Sequence, residues 1–294
     1  MNQENLNFLK DALKYLGFGE HVGLQDELEK MILTVPKAFT LSTEVYFEES
    51  CKLEGLLFFR KSDQLDMYFF NKYEASLRYP DNPERDRKQT FYINKGSGVS
   101  FKEAFNLLQG RSVNKDLLNM EGEKYNAWLQ LNFEERDAYS NYKMRQFRAQ
   151  YGYDLETTLE RYPIRELQNT ELRAALLRSL KKGNMHPVSF MKSSKSEIMF
   201  IEASPQYKTI NIYPISSPMI PKTFFRKELN PVKGFPSSPP QPPEPPIWDD
   251  VKEEKEDAKE EEHKPMRRRS PVKKMDRPQE DNGLLFGTTG AASL

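Results

Sequence analysis

Apolar residues along the first 213 positions fall into two spacings. Leu6, Leu9, Leu13 and Leu16 recur at helical intervals and stop at Gly17-Phe18-Gly19, which predicts a helix over 5–15. Leu24, Leu28, Met31 and Ile32 predict a second, shorter helix over 24–33, closed by Pro36. The period then drops to two. Phe39, Leu41, Thr43, Val45 and Phe47 alternate with polar neighbours, as a half-buried strand requires. A more apolar strand over 51–60, a third over 67–77 and a fourth over 90–94 follow, joined by a turn at 61–64 and a polar loop at 79–88. Sequential strands with short connections pair with their neighbours, so a four-stranded antiparallel meander is expected.

The densest punctuation lies in 89–133. Ser100 and Glu103 have the spacing of a capping box for a helix over 101–108 that buries Phe101, Ala104, Phe105 and Leu108, with Gly110 just past its end. A hairpin follows: a strand over 115–119, a turn at 120–122, and a strand that puts Tyr125, Ala127, Leu129, Leu131 and Phe133 on one face. Trp128 falls on the other face, so both faces are expected to be covered. A strand over 141–147 extends this sheet. Asp154 is placed to cap a short helix to 161, and Pro163 to start a helix over 165–182 that ends at Gly183. Strands are expected over 188–192, 197–203 and 208–213. The order helix, glycine, hairpin thus occurs twice, with Gly110 matching Gly183. The fold class is α+β: an antiparallel meander with N-terminal helices, followed by helix-plus-hairpin modules. Three regions are expected, an α+β domain over 1–150, a smaller helix-plus-hairpin module over 151–213, and a disordered tail over 214–294.

Composition sets that tail apart. It runs from a proline-rich stretch (231–246) through an acidic block (249–262) to a basic block (264–277) containing Arg267, Arg268 and Arg269. Such a segment buries too little apolar surface to offset its ordering entropy. The whole chain of 294 residues carries 44 basic and 44 acidic side chains, and the tail takes 14 of each. The body is therefore neutral as well, which excludes a globally basic nucleic-acid binder and leaves only a local basic face. No window approaches the ~18 apolar residues a membrane span needs. Cys51 is the only cysteine, so no internal disulfide can form; with no signal-peptide pattern, a cytoplasmic setting is expected.

Four phrases occur in a characteristic order: RKSDQLDMYFFNKYEASL (60–77), QTFYINKGSGVSFKEAFNLLQGRSVNKDLLNMEGEKYNAWLQL (89–131), YGYDLE (151–156) and MFIEASPQYKTINIY (199–213). Together they resemble an uncharacterised Bacteroidota protein family, a domain of unknown function found near conjugative-transposon and topoisomerase genes. The resemblance covers 1–213 and not the tail. It implies a bacterial cytoplasmic setting and a link to mobile-element DNA, and it carries no reaction or catalytic residue.

Candidate chemistry is sparse. Lys95-Gly96-Ser97-Gly98 before a helix suggests a phosphate cradle, but a P-loop places Lys and Ser/Thr after its second glycine, and Val99 and Ser100 stand there instead. The three histidines (His21, His186, His263) lack ligand spacing, so neither a metal nor another cofactor is expected. Cys51 opens an apolar strand, where a buried thiol is the ordinary outcome. The paired carboxylates Glu48-Glu49, Glu134-Glu135 and Asp63 with Asp66 sit at turns and strand ends. The clearest functional pattern is basic and aromatic interleaving: Arg111 and Lys115 after the capped helix, and Lys143, Arg145, Phe147 and Arg148 in one strand. Rings beside cations on a sheet stack bases and neutralise phosphates. The leading expectation is a non-enzymatic accessory or interaction protein of a mobile element, with a protein partner. The alternative is DNA or other nucleic-acid binding through Arg111, Lys115, Lys143, Arg145, Arg148 and Arg267 to Arg269. A third reading is an enzyme acting on DNA or nucleotides around Gly96 and Ser100.

Overall fold

A computed structural model describes residues 2–19, 23–48, 50–94, 97–119, 122–192 and 195–217. The expectations for the tail beyond 217, including Arg267, Arg268 and Arg269, and those for His21, Lys95 and Gly96, lie outside the described residues.

Helix α1 (Gln3–Tyr15) begins where the Asn2 side chain accepts the Asn5 N–H at 3.1 Å. It turns Leu6, Leu9, Ala12 and Leu13 inward. Helix α2 (Leu24–Leu33) starts from Gly23 and buries Leu24, Leu28 and Ile32. Strands β1 (Ala38–Glu48), β2 (Cys51–Lys61), β3 (Tyr68–Arg78), β4 (Arg87–Asn94) and β5 (Ser97–Gly98) pair in sequence order as an antiparallel meander. The fifth strand was not expected. Its two residues fold back on β4 through Ile93 with Gly98 and Asn94 with Ser97, too short a run for alternation to reveal.

Both halves of the capping box form at α3 (Phe101–Leu108): Ser100 Oγ accepts the Glu103 N–H at 3.4 Å, and Glu103 Oε2 accepts the Ser100 N–H at 2.8 Å. Helices α1, α2 and α3 all pack on one face of the five-stranded sheet. Phe18, Tyr73 and Phe101 meet there, with ring centroids 4.8 Å (Phe18–Phe101) and 5.1 Å (Phe18–Tyr73) apart. Gly55 makes room for this packing, since a Cβ on it would stand 3.0 Å from the Phe101 ring. Each such buried ring contributes roughly 1.5–3 kcal/mol of transfer free energy.

Two helix-plus-meander modules complete the described residues. The first is α3 with β6 (Val113–Leu118), β7 (Lys124–Arg136) and β8 (Tyr142–Arg148); the second is α5 (Thr170–Lys181) with β9 (His186–Lys192), β10 (Lys195–Ser204) and β11 (Thr209–Pro214). Their helices end in the same way. Arg111 and Asn184 each donate a backbone N–H back to Asn106 O and Ser179 O, at 3.0 and 3.2 Å, while Gly110 and Gly183 take the left-handed conformation. The expected helix over 165–182 is two elements. A 3-10 turn covers Arg165–Gln168, and Asn169 then restarts the helix by accepting the Glu171 and Leu172 N–H groups at 2.9 and 3.0 Å. An asparagine side chain competes with the backbone for these donors, and here it wins.

Trp128, on the second face of β7, joins a separate apolar cluster with Leu155, Leu159, Ile164, Leu176, Leu180 and Ile201. Between β4 and β8 there is no ladder. Instead the Gln89 amide accepts the Tyr142 N–H at 2.8 Å and donates to Tyr142 O at 3.3 Å. Asn141 Oδ1 likewise accepts the Thr90 N–H at 2.9 Å.

Helix α4 (Leu155–Leu159) supplies a titration test. Asp154 Oδ1 accepts the Thr157 N–H at 2.7 Å, and that hydrogen bond holds its carboxyl below the ordinary 3.8. A depressed folded-state pKa stabilises above the unfolded value and loses that contribution as pH falls through the folded one. Asp154→Ala is expected to cost about 1 kcal/mol near neutrality. In urea titrations the gap should close as pH drops below 3.8, while Asp154→Asn keeps the cap without the pH dependence.

Candidate functional site

The basic set read from the sequence does not form one surface. Arg111 is 8% exposed; its Nη2 donates to Asn106 Oδ1 at 3.1 Å, with the guanidinium 5.5 Å from the Phe105 ring. Lys115 Nζ meets Glu103 Oε2 at 3.0 Å, with both side chains largely buried. Lys115 and Arg148 both lie opposite Ala127, so they share the face of β7 that carries Leu129 and Leu131. Arg148 lies over the Tyr125 ring at 4.3 Å. Lys143 and Arg145 lie opposite Asn132 and Gln130, on the Trp128 face. Lys143 pairs with Glu135 at 3.0 Å and Arg145 reaches Gln206 Oε1 at 3.4 Å. Each of the five cations is thus engaged by a carboxylate, an amide or a ring; Arg111 lies at the helix corner, and the other four divide between two faces of one sheet.

Other sequence candidates resolve similarly. Cys51 is 1% exposed. Burial lowers the pKa of the His186 imidazole. Asp66 pairs with Lys61 at 3.0 Å, and Asp63 lies 3.7 Å from Arg60. Glu103, the acidic group nearest Ser100, gives one oxygen to both the Ser100 N–H and Lys115. Among the described residues no group of three His, Cys, Asp or Glu side chains could hold a metal ion. No described helix is long and apolar enough to cross a membrane.

The broad exposed surface lies on the first sheet, on the face turned away from α1, α2 and α3. Register lines its side chains into rows. Thr40, Phe58, Lys72 and Tyr92 form one row; Ser42, Leu56, Glu74 and Thr90 the next; Glu44, Glu54, Ser76 and Lys88 the third. In the first row Lys72 Nζ lies 5.5 Å from the Phe58 ring centroid and 5.9 Å from that of Tyr92, which is 52% exposed. The third row is an ion-pair network. Lys52 reaches Glu54 at 2.8 Å and Glu44 at 3.2 Å, Arg78 reaches Glu54 at 3.2 Å, and Lys88 reaches Glu74 at 2.9 Å. The Lys52 hydrogen bond, more than any other contact, holds the Glu54 carboxyl below its ordinary range. Exposed pairs of this kind are screened by solvent, so they order the surface more than they stabilise the fold. An open trough of about 700 Å³ follows the second and third rows, lined by Ser42, Glu44, Glu54 and Glu74, and reaches Leu24 and Glu27 of α2 at one side.

Chemically, the face offers two flat rings around a cation beside an alternating-charge strip. That suits recognition of planar or charged groups. Sequence reasoning missed it because alternation places Thr40, Phe58, Lys72 and Tyr92 outward one strand at a time. It cannot say that they fall in one row. No family model, no curated protein and no solved structure matches this chain.

Proposed function

We propose that this chain is a non-enzymatic interaction protein, an accessory factor of a bacterial mobile element acting in the cytoplasm, which holds a protein partner on the open face of its first sheet. The observation that carries the reading is the row Thr40, Phe58, Lys72, Tyr92, presented on a rigid sheet with no described helix over it. An exposed apolar and aromatic patch rimmed by charge is a common form of protein docking surface. The mobile-element setting rests on the resemblance over 1–213 alone.

Lys72→Ala with Tyr92→Ala should leave the fold intact, because both side chains face outward. Affinity capture from the bacterial host is expected to retain a defined partner on the wild type and lose it on the double variant. Equal capture by both proteins counts against the surface. Turnover of a nucleotide by the purified protein, abolished by one substitution in the body, would overturn the non-enzymatic reading.

A second reading is favoured by the same row. A lysine between two rings is a pattern that stacks bases and neutralises phosphate. Under it, a salt-sensitive gel shift with single-stranded DNA weakens in the Lys72, Tyr92 double variant. If the shift weakens instead in Lys143→Ala with Arg145→Ala, the contact lies on the second sheet. No shift at low salt removes nucleic acid from consideration.

A further inference from the structure

We propose that the corner where the 3-10 turns Ala149–Tyr151 and Pro205–Tyr207 meet binds single-stranded nucleic acid, with Tyr207 stacking on an unpaired base and Lys208 meeting its phosphate. None of these residues belongs to the first sheet, and the inference does not rest on the docking reading above.

The chain makes the same turn twice. Ala149-Gln150-Tyr151-Gly152 and Pro205-Gln206-Tyr207-Lys208 share the pair Gln-Tyr, and in each the fourth N–H donates to the first carbonyl at 3.0 Å. The fourth residue is left-handed in both, at φ +79° for Gly152 and +54° for Lys208. Glycine is the ordinary occupant of that conformation, and a residue with a Cβ is strained there. The first turn obeys the rule and the second departs from it. Strain held in place in this way points to a use for the side chain, and here the side chain is an ammonium.

Contacts between the two turns fix where that ammonium stands. Tyr151 donates its hydroxyl to Gln206 O at 2.7 Å, and Arg145 Nη1 donates to Gln206 Oε1 at 3.4 Å. Phe147 packs against the Tyr151 ring, with centroids 4.9 Å apart. Lys208 Nζ lies over that same ring, 4.8 Å from its centroid. Tyr151 is therefore a support, with one face given to the lysine. Tyr207 is 73% exposed, and its side chain makes no hydrogen bond or ring contact among the described residues. Carboxylates are turned elsewhere. Asp154 caps α4, Glu202 is buried and accepts from Asn211 and Tyr213, and Glu135 pairs with Lys143. Among the described residues no carboxylate pairs with Lys208 or Arg145.

Two cations without a carboxylate suit any anion, and an open ring suits any flat or apolar group. A ring and an ammonium on consecutive residues suit a ligand that offers both within one unit, a base next to its phosphate. The base has to be unpaired, because a ring standing out from a turn reaches base faces only in a single strand. An acidic peptide would leave Tyr207 unused, and a proline-rich one would leave the lysine unused.

Binding of oligothymidylate to the full chain, followed by fluorescence anisotropy over a salt series, tests the site. Tyr207→Ala should weaken binding at least about fivefold with the salt slope unchanged, and Tyr207→Phe should keep the wild-type affinity. Lys208→Gln should lower the slope by about 0.7, the share of one phosphate on a single strand. Lys208→Gly relieves the backbone strain, so it should unfold at no lower temperature than the wild type while binding more weakly. A lysine kept only for the fold would do the reverse. Lys72→Ala with Tyr92→Ala should change none of these values, which separates this corner from the first sheet. Irradiated with an iodouracil-substituted oligonucleotide, the wild type should crosslink at Tyr207. No binding at low salt overturns the proposal, as does binding that Tyr207→Ala leaves intact, or crosslinks confined to other residues, the tail included. Should the alanine variant unfold, the crosslink on the wild type decides alone.

Discussion

Gly183→Ala is expected to destabilise the fold by about 2–5 kcal/mol, the sum of left-handed strain and overpacking. Gly183 has φ of +77°, and a Cβ there would meet Ser112 O at 2.8 Å, Val113 Cγ2 at 2.9 Å and Asn106 Cβ at 3.1 Å. The nearest of these is backbone at the start of β6, which cannot swing aside as a flexible side chain can. The contact also joins the two modules, because Asn106 Nδ2 donates to Lys182 O at 2.6 Å and to Asn184 Oδ1 at 2.9 Å beside it. Gly152→Ala is the matched control. Its φ is +79°, but the nearest neighbour of a Cβ is the mobile end of Lys208, at 3.7 Å. Only the strain remains there, about 1–2 kcal/mol. Equilibrium urea unfolding of the two variants checks the difference. Equal losses would show that the corner yields and that packing between the modules is loose.

The second large effect belongs to Glu103. Glu103→Ala is expected to cost about 3–5 kcal/mol, the range for removing one partner of a buried pair. Glu103 Oε2 serves both the Ser100 N–H, at 2.8 Å, and Lys115 Nζ, at 3.0 Å, and the two side chains are 9% and 15% exposed. Removing the carboxylate leaves a nearly buried ammonium and an unsatisfied helix-entry N–H together. Glu103→Gln separates these effects, since glutamine also completes a capping box. It should cost less than alanine, and the remainder measures the loss of charge. Adding Lys115→Met to Glu103→Gln should recover part of that remainder, because an apolar replacement ends the desolvation penalty. Chemical denaturation of the four proteins forms the test. If Glu103→Ala costs no more than about 1 kcal/mol, water reaches the pair and its apparent burial is not energetic.

These two sites show what the chain discloses before folding. Ser100 and Glu103 sit three apart ahead of an apolar run, so local spacing alone predicts the cap. Alternation at Phe39, Leu41 and Val45 similarly predicts β1. The second function of Glu103 was hidden, because Lys115 reaches it through the fold and not through spacing. Arg111 illustrates the same limit. An arginine after a glycine reads as a solvated loop cation, yet the helix corner turns it onto Asn106 and the Phe105 ring. Asn169 erred in the opposite direction: the leucine periodicity of 165–182 hid a residue whose side chain restarts the helix. The outer row of Phe58, Lys72 and Tyr92 needed registers between three strands, which turns and bulges set. The shift between Phe58 and Phe59 opposite β3 is one such bulge. Faces could be read one strand at a time, and their alignment could not.

The rung that Gln89 supplies to Tyr142 has a kinetic meaning. Backbone ladders open only when a strand leaves its sheet, whereas this one opens when a single side chain changes rotamer. The amide proton of Tyr142 is thus guarded by a local event. Its hydrogen exchange should be faster than that of neighbouring amides in β7 and should follow the native-state, denaturant-independent regime of small fluctuations. Exchange at that one proton reports the release of the Gln89 side chain from Tyr142, separately from the unfolding of either sheet.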